Sequence, residues 1–209
     1  MNWFLKGLKK GIKTENSAPS DVLWATRLEP GQAVNESAKA ADRCPTQAID
    51  EQGWKPERCI FCRLCEPDYQ PTGDHRLTKV LRSERVFRRS FHVFPVDLGT
   101  CGACNTELKL ISAPQLDMTR FGIFFTGSPR HADALLVMGV SNRMMEEPLR
   151  RAYEAMPSPK LVIALGTCAA SGGIFKESGI RADVVVAGCP PSPYTILDAL
   201  LKAKGEKGW

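Results

Sequence analysis

The chemistry available to this chain lies in eight cysteines: Cys44, Cys59, Cys62, Cys65, Cys101, Cys104, Cys168 and Cys189. They divide into two sets of four. The first set is a compact triplet, Cys59-Ile60-Phe61-Cys62-Arg63-Leu64-Cys65, with a remote Cys44-Pro45 upstream. A C-x2-C-x2-C triplet completed by a distant cysteine that precedes proline is a ligand pattern for a [4Fe–4S] cluster. Its short loops wrap three corners of the cubane and turn backbone N–H groups toward the sulfurs. Cys65 is followed by Glu-Pro-Asp-Tyr-Gln-Pro with no further cysteine, and no second triplet lies upstream of Cys44. The region therefore holds ligands for one cluster.

The second set is Cys101-Gly102-Ala103-Cys104, Cys168 and Cys189-Pro190-Pro191. Three of its positions follow apolar runs that read as strands: VDLGT before Cys101, VIALGT before Cys168 and VVVAG before Cys189. In an open parallel sheet the carboxyl ends of the strands share one edge, where ligands bind. Three strand ends and the first loop would bring four thiolates together there, a second [4Fe–4S] site. The repeated LGTC string then marks two strand ends with the same task, with VAGC as a looser third. Glycines 99, 102, 166 and 188 suit close approach of the backbone to such a group. Other readings stand beside these. Zinc also takes four cysteines, ordinarily as two separated C-x2–4-C pairs. Cys168 and Cys189, taken singly, read as buried core cysteines. Disulfides do not suit a reducing compartment.

The remaining sequence must position these sulfurs. With 209 residues, 43% of them hydrophobic, the chain can bury a substantial core. A net charge of +5 is too small to argue for nucleic acid. There is no 18-residue apolar run, no signal-peptide h-region and no N-terminal twin arginine, so a cytoplasmic location is expected. From Phe91 onward the pattern alternates. FHVFPVDLG, GIFFTG, ADALLVMG, KLVIALG and ADVVVAG read as strands; NTELKLIS, MEEPLRRAYEAM and SPYTILDALLKAK read as helices. This predicts an α/β fold, a flavodoxin-like parallel sheet with helices on both faces. A small ferredoxin-like segment precedes it: one triplet and one remote Cys-Pro amount to half of a two-cluster ferredoxin. Four regions result. They are an amphipathic docking segment over 1–34, a half-ferredoxin segment over 35–75, a basic connector over 76–90 and the α/β domain over 91–209.

Residues 89–209 resemble the small electron-transfer subunit shared by [NiFe] hydrogenases and respiratory complex I. Within it the closer resemblance is to the group 4 membrane-bound hydrogenases, which include formate hydrogenlyase. The stretches that carry the resemblance are RSFHV, VDLGTCGACNTEL, FGIFFTGSPRHADALLVMG, EEPLRRAYEAMPSPKLVIALGTCAASGGIF and VVVAGCPPSP. Residues 40–65 resemble the ferredoxin-type subunits that feed such complexes. The resemblance implies that Cys101, Cys104, Cys168 and Cys189 hold the cluster nearest a catalytic centre on a separate large subunit. Glu107 matches the acidic position of a CxxCxxE pattern and is a candidate proton-path residue; a helix-dipole role is its structural alternative. Pro129, Arg130, His131, Ala132 and Asp133 match the SPRHAD segment, where His131 and Asp133 read as capping and packing residues. Two departures stand out. Complex I relatives carry adjacent cysteines where this chain has Cys101-x-x-Cys104, which favours the hydrogenase branch. The stretch from Ile174 to Cys189 is also shorter than the family's.

The expected role is electron relay through two [4Fe–4S] clusters to or from a hydrogenase-type large subunit. A nickel-free quinone or sulfur reductase of the complex I type is the alternative, and a zinc-stabilised binding module is a third reading. No bond-making chemistry falls to this chain. Two segments read as docking surfaces. MNWFLKGLKKGIK places Trp3, Phe4, Leu5, Leu8 and Ile12 near one helical face, with Lys6, Lys9, Lys10 and Lys13 largely elsewhere, a pattern suited to a membrane surface or partner groove. Arg82, Arg85, Arg88 and Arg89 suit an acidic partner, the anionic clusters or a plain solvated face. The expected partners are a large subunit, membrane-embedded subunits reached through the N-terminal helix, and a further ferredoxin-like subunit. The protein is then peripheral on the inner face of the cell membrane.

Overall fold

The run Ala134-Leu135-Leu136-Val137-Met138 is buried at every position, so this strand has no solvent face and must be covered on both sides. The computed structural model describes residues 3–11, 14–15, 17–19, 21, 23–31, 37–66, 68–175 and 179–208, with backbone alone for Trp3, Phe4 and residues 37–39. Its N-terminal part contains α1 (Trp3–Lys10), β1 (Leu28–Pro30), α2 (Ser37–Arg43), β2 (Ile49–Asp50), β3 (Gly53–Trp54) and β4 (Tyr69–Pro71). The remainder contains β5 (Thr78–Val80), β6 (Phe91–Asp97), α3 (Ala103–Leu110), β7 (Ile123–Phe125), β8 (Ala134–Met138), α4 (Arg143–Ala155), β9 (Leu161–Leu165), α5 (Gly166–Ser171), β10 (Val184–Val186) and α6 (Pro193–Ala203).

The main sheet has six strands in the order β5-β10-β9-β8-β6-β7. Five run parallel, and β5 pairs antiparallel with β10 at one edge. Side chains of β8 alternate between the two faces, as the pleat requires. Ala134, Leu136 and Met138 join Leu108 and Ile111 at the α3 end and Ile196, Leu197 and Leu200 of α6 in one core. Leu135 and Val137 join Leu98 and Met156, against Met145, Leu149 and Ala152 of α4, in another. Helices thus cover both faces of an α/β, flavodoxin-like sheet. Two helix starts, those of α4 and α6, follow capping chemistry. Asn142 accepts from the N–H groups of Met144 and Met145 at α4, and Ser192 precedes Pro193 at α6 while accepting from the Thr195 N–H.

A smaller core sits beside this sheet. Ala25, Leu28, Ala40, Ala48, Ile49, Cys59, Phe61, Tyr69 and Leu77 pack together with Ala187, which follows β10. The antiparallel pairs β1–β4 and β2–β3 frame it. The strand β5 lies within the stretch read as a basic connector. Three residues, Thr-Lys-Val, carry no apolar run; they become a strand by backbone pairing with β10. Helix α1 forms where amphipathic spacing predicts it, and Leu5 and Leu8 are 51% and 66% exposed. The side chains of Trp3 and Phe4, and Ile12 and Lys13 altogether, lie outside the described residues. Among the described residues no helix is long and apolar enough to cross a membrane.

Leu136 lies fully buried at the middle of the sheet, whereas Leu110 is 44% exposed. Leu136→Ala is expected to cost about 2–5 kcal/mol in urea unfolding through lost burial and a residual cavity. Leu110→Ala is expected to change stability by about 0.5 kcal/mol or less.

Candidate metal centres

The loop after β6 is organised by Asp97. Its carboxylate accepts from the N–H groups of Gly99 and Thr100, the Thr100 hydroxyl and the Asn105 amide, at 2.7–2.9 Å. Burial alone would raise the Asp97 pKa; these hydrogen bonds outweigh it and hold the group below the usual carboxylate range. Cys101 is exposed in this loop, and Cys104, half-buried, is the second residue of α3. Because β6, β9 and β10 run parallel, their ends lie on one sheet edge. There β9 passes into α5 without a loop, so Cys168 stands on a helix rather than in the loop its spacing predicts. Gly166 makes this junction at φ +85°, and a Cβ at that position would lie 2.8 Å from the Cys104 sulfur. Cys189 follows β10, after Gly188 at φ +143°, where a Cβ would lie 2.3 Å from Pro191 Cα.

The four thiols of this set feel one another. Burial pushes Cys104 up to about 12, and Cys189, Cys168 and Cys101 add to the shift. Burial pushes Cys189 up to about 11, with Cys168 and Cys101 contributing. Cys168 is raised by burial and by Cys101. A negative charge on any one sulfur thus disfavours ionisation of its neighbours, and a bound cationic core would reverse that balance.

The first set gathers in the smaller core. Cys44 follows directly on α2, and Cys59 ends a single 3-10 turn over Pro56–Arg58. Phe61 and Arg63 stand at φ +54° and +60° between the three triplet cysteines. Left-handed conformations at non-glycine residues are uncommon and cluster where function constrains the backbone. Here they curl the chain so that Cys59, Cys62 and Cys65 line one recess with Cys44, Ala48, Ile49 and Trp54. Backbone N–H groups point at sulfur as expected: Ala48 donates to Cys44 at 3.2 Å and Phe61 to Cys59 at 3.4 Å. The indole N–H of Trp54 is buried without a hydrogen-bond partner in standard geometry among the described residues. It lies near enough to the Cys59 sulfur to favour the thiolate. Burial dominates nonetheless and pushes Cys59 up to about 11, with Cys65 and Cys44 adding to it. Cys65 is raised by burial, then by Cys62 and Cys44. These donors fit charged sulfur ligands better than neutral thiols.

Glu107 lies one turn beyond Cys104 on the same face of α3, and burial raises its carboxyl above the usual range. It stands past the first helical turn, where the dipole acts most strongly, so the helix-terminus reading loses ground. The SPRHAD segment sits toward the opposite sheet edge, where Asp133 precedes β8 and accepts from the His92 N–H at 2.7 Å. His131 is exposed at the end of a 3-10 turn capped by Ser128. Arg82 is engaged by its own chain, 3.4 Å from Asp183 and 3.7 Å from Glu84. The cysteine pattern does not point to Asp97; the signal that does is an Asx-type turn, an aspartate two residues before a glycine.

A parallel α/β domain that brings strand-end cysteines to one edge, with a cysteine-bearing lobe beside it, defines the class. Residues 101–203 match the model of the family described as NADH ubiquinone oxidoreductase, 20 Kd subunit. An NADH-quinone oxidoreductase subunit of Citrifermentans bemidjiense is 36% identical, over 66% of this chain and 85% of that protein. The probable membrane-bound hydrogenase subunit mbhJ of Pyrococcus furiosus is 42% identical, over 55% of this chain and 74% of that protein. Formate hydrogenlyase subunit 7 of Escherichia coli is 39% identical, over 58% of this chain and 51% of that protein. The chain belongs to the 20 kDa subunit family of NADH ubiquinone oxidoreductase, as the motifs in its second half imply.

In metal-stripped protein, exposed Cys62 and Cys101 are expected to be alkylated first near neutral pH. Burial disfavours the thiolate, so Cys59 and Cys104 are expected to react only as the pH rises toward about 11 and about 12 respectively. Peptide mass spectrometry across a pH series reads the order. Equal labelling of Cys101 and Cys104 at neutral pH would contradict it.

Proposed function

We propose that this chain is an electron-relay subunit holding two [4Fe–4S] clusters. One is held by Cys44, Cys59, Cys62 and Cys65, the other by Cys101, Cys104, Cys168 and Cys189. The observation that carries this reading is the sorting of all eight sulfurs into two mutually interacting sets, each at the confluence of several elements. Such clusters supply one-electron storage and transfer, at potentials set by hydrogen bonds to sulfur, charge and exposure. The chain's own residues do the rest. The cysteines bind, the Ala48 and Phe61 amides and the Trp54 indole face sulfur, and the smaller core limits water at Cys59.

Zinc is less well served, since it ordinarily takes two separated C-x2–4-C pairs rather than a C-x2-C-x2-C triplet with one remote cysteine.

The partner favoured by the Cys101-x-x-Cys104 spacing is a [NiFe]-hydrogenase-type large subunit, in a membrane-bound complex of the formate hydrogenlyase kind. The alternative is a complex I-type large subunit without nickel, in a quinone or sulfur reductase. It is supported by the 36% identity to a protein named as an NADH-quinone oxidoreductase subunit. Glu107, beside the second set, is then a proton-path residue facing that partner. Helix α1 presents Leu5 and Leu8 with Lys6, Lys9 and Lys10 and is suited to membrane-embedded subunits or the lipid surface. A further ferredoxin-like subunit would meet the smaller lobe, and the assembly would lie peripherally on the inner face of the cell membrane.

Protein purified without oxygen is expected to contain about eight iron and about eight acid-labile sulfide per chain. Cys44→Ala is expected to remove about half of each and leave the second centre intact. A colourless protein with zinc and no sulfide would sink the proposal.

A further inference from the structure

Helix α5 carries Thr167 and Ser171 four residues apart, hence on one face. Both hydroxyls reach out of the helix to the smaller lobe. Thr167 Oγ1 donates to the Cys59 carbonyl at 2.8 Å, and Ser171 Oγ donates to the Glu57 carbonyl at 2.8 Å. Thr167 Oγ1 also lies 3.1 Å from the carbonyl of Gly188, and Ser171 Oγ 3.2 Å from that of Thr167. Thr167 is 1% exposed, so water does not compete for its bonds, whereas Ser171 is half-buried. One buried hydroxyl therefore touches a member of the first thiol set while sitting next to Cys168 and beside the residue before Cys189. Ala187 and Cys189 complete the contact by packing into the core that holds Cys44, Cys59 and Cys65.

We infer that Thr167, seconded by Ser171, is a positioning residue that fixes the first thiol set against the second. The inference rests on the two-cluster reading above. The stretch between Cys65 and Cys101 is anchored to the sheet at β5, by pairing with β10, and at His75, which bonds Ser192 and Thr195. The two hydroxyl-to-carbonyl bonds from α5 add the direct tie, because they join the 57–59 turn to the helix that carries Cys168. One-electron exchange weakens steeply with distance, so a contact that joins the two sites bears on how well they communicate.

The test uses the full chain, purified without oxygen, as wild type, Thr167→Val, Thr167→Ser, Ser171→Ala and the Thr167→Val/Ser171→Ala double variant. Electron paramagnetic resonance of the reduced protein reads the magnetic interaction between the two centres, with iron counted in each sample. The interaction is expected to weaken in Thr167→Val, to weaken further in the double variant and to return in Thr167→Ser. Should Thr167→Val lose iron, Ser171→Ala carries the same readout. An unchanged interaction in whichever variant keeps its iron overturns the inference, as does no interaction in a wild type that holds both clusters. A wild type without iron and sulfide overturns the cluster reading instead. The tether is then read by hydrogen exchange over residues 57–61, expected to be several-fold faster in Thr167→Val than in Thr167→Ser. Equal exchange in the two overturns it.

Discussion

The structure depends on a conflict of charge at its cysteines. Burial and mutual repulsion both oppose ionised sulfur, and the fold nonetheless sets the thiols of each group within reach of one another's charge. Cys104 and Cys189 are pushed up to about 12 and about 11, with burial first and neighbouring sulfurs next among the causes. Cys59 is pushed up to about 11 even though Trp54 and the Phe61 amide pull the other way. A cationic group bound at such a site would bring these pKa values down, because metal binding and thiol deprotonation are linked. That is why the chemistry of the donor set, rather than the fold alone, supports an iron–sulfur assignment.

The rest of the molecule serves that arrangement. A parallel sheet covered on both faces is rigid at its core and delivers β6, β9 and β10 to one edge. Asp97 gathers the first loop with four accepted hydrogen bonds. Gly166 and Gly188 let the backbone turn within van der Waals reach of Cys104 and Pro191, where any Cβ would collide. The smaller lobe lacks a large sheet and relies on a modest core, two short antiparallel pairs and its bonds to α5. The family model covers residues 101–203, which hold Cys101, Cys104, Cys168 and Cys189 and none of the first set. The likeness therefore speaks to the second thiol set more than to the first.

Much of the sheet was legible because its strands are buried on both faces. Runs such as Leu161–Leu165 and Ala134–Met138 have few other ways to be satisfied. The grouping of the strand-end cysteines was read from parallel topology together with the Cys101-x-x-Cys104 pair. Three features did not show. Strand β5 exists through pairing with β10, not through its own side chains. The direct passage of β9 into α5 depends on one glycine at positive φ, and nothing in LGTC distinguishes it from the looped copy at Gly99. The bonds of Thr167 and Ser171 span 108 and 114 residues, and a hydroxyl bound to a distant carbonyl leaves no local pattern. Asp97 is different in kind, since an aspartate two residues before glycine is a turn signal at any strand end.

The central claim is that each set of four sulfurs surrounds its own iron cluster. Anomalous X-ray diffraction at the iron edge from crystals grown without oxygen tests it most directly. The account predicts two separate compact groups of iron, one among Cys44, Cys59, Cys62 and Cys65 and one among Cys101, Cys104, Cys168 and Cys189. A single metal position in either set, a signal at the zinc edge in place of iron, or cysteines from both sets around one centre would contradict it.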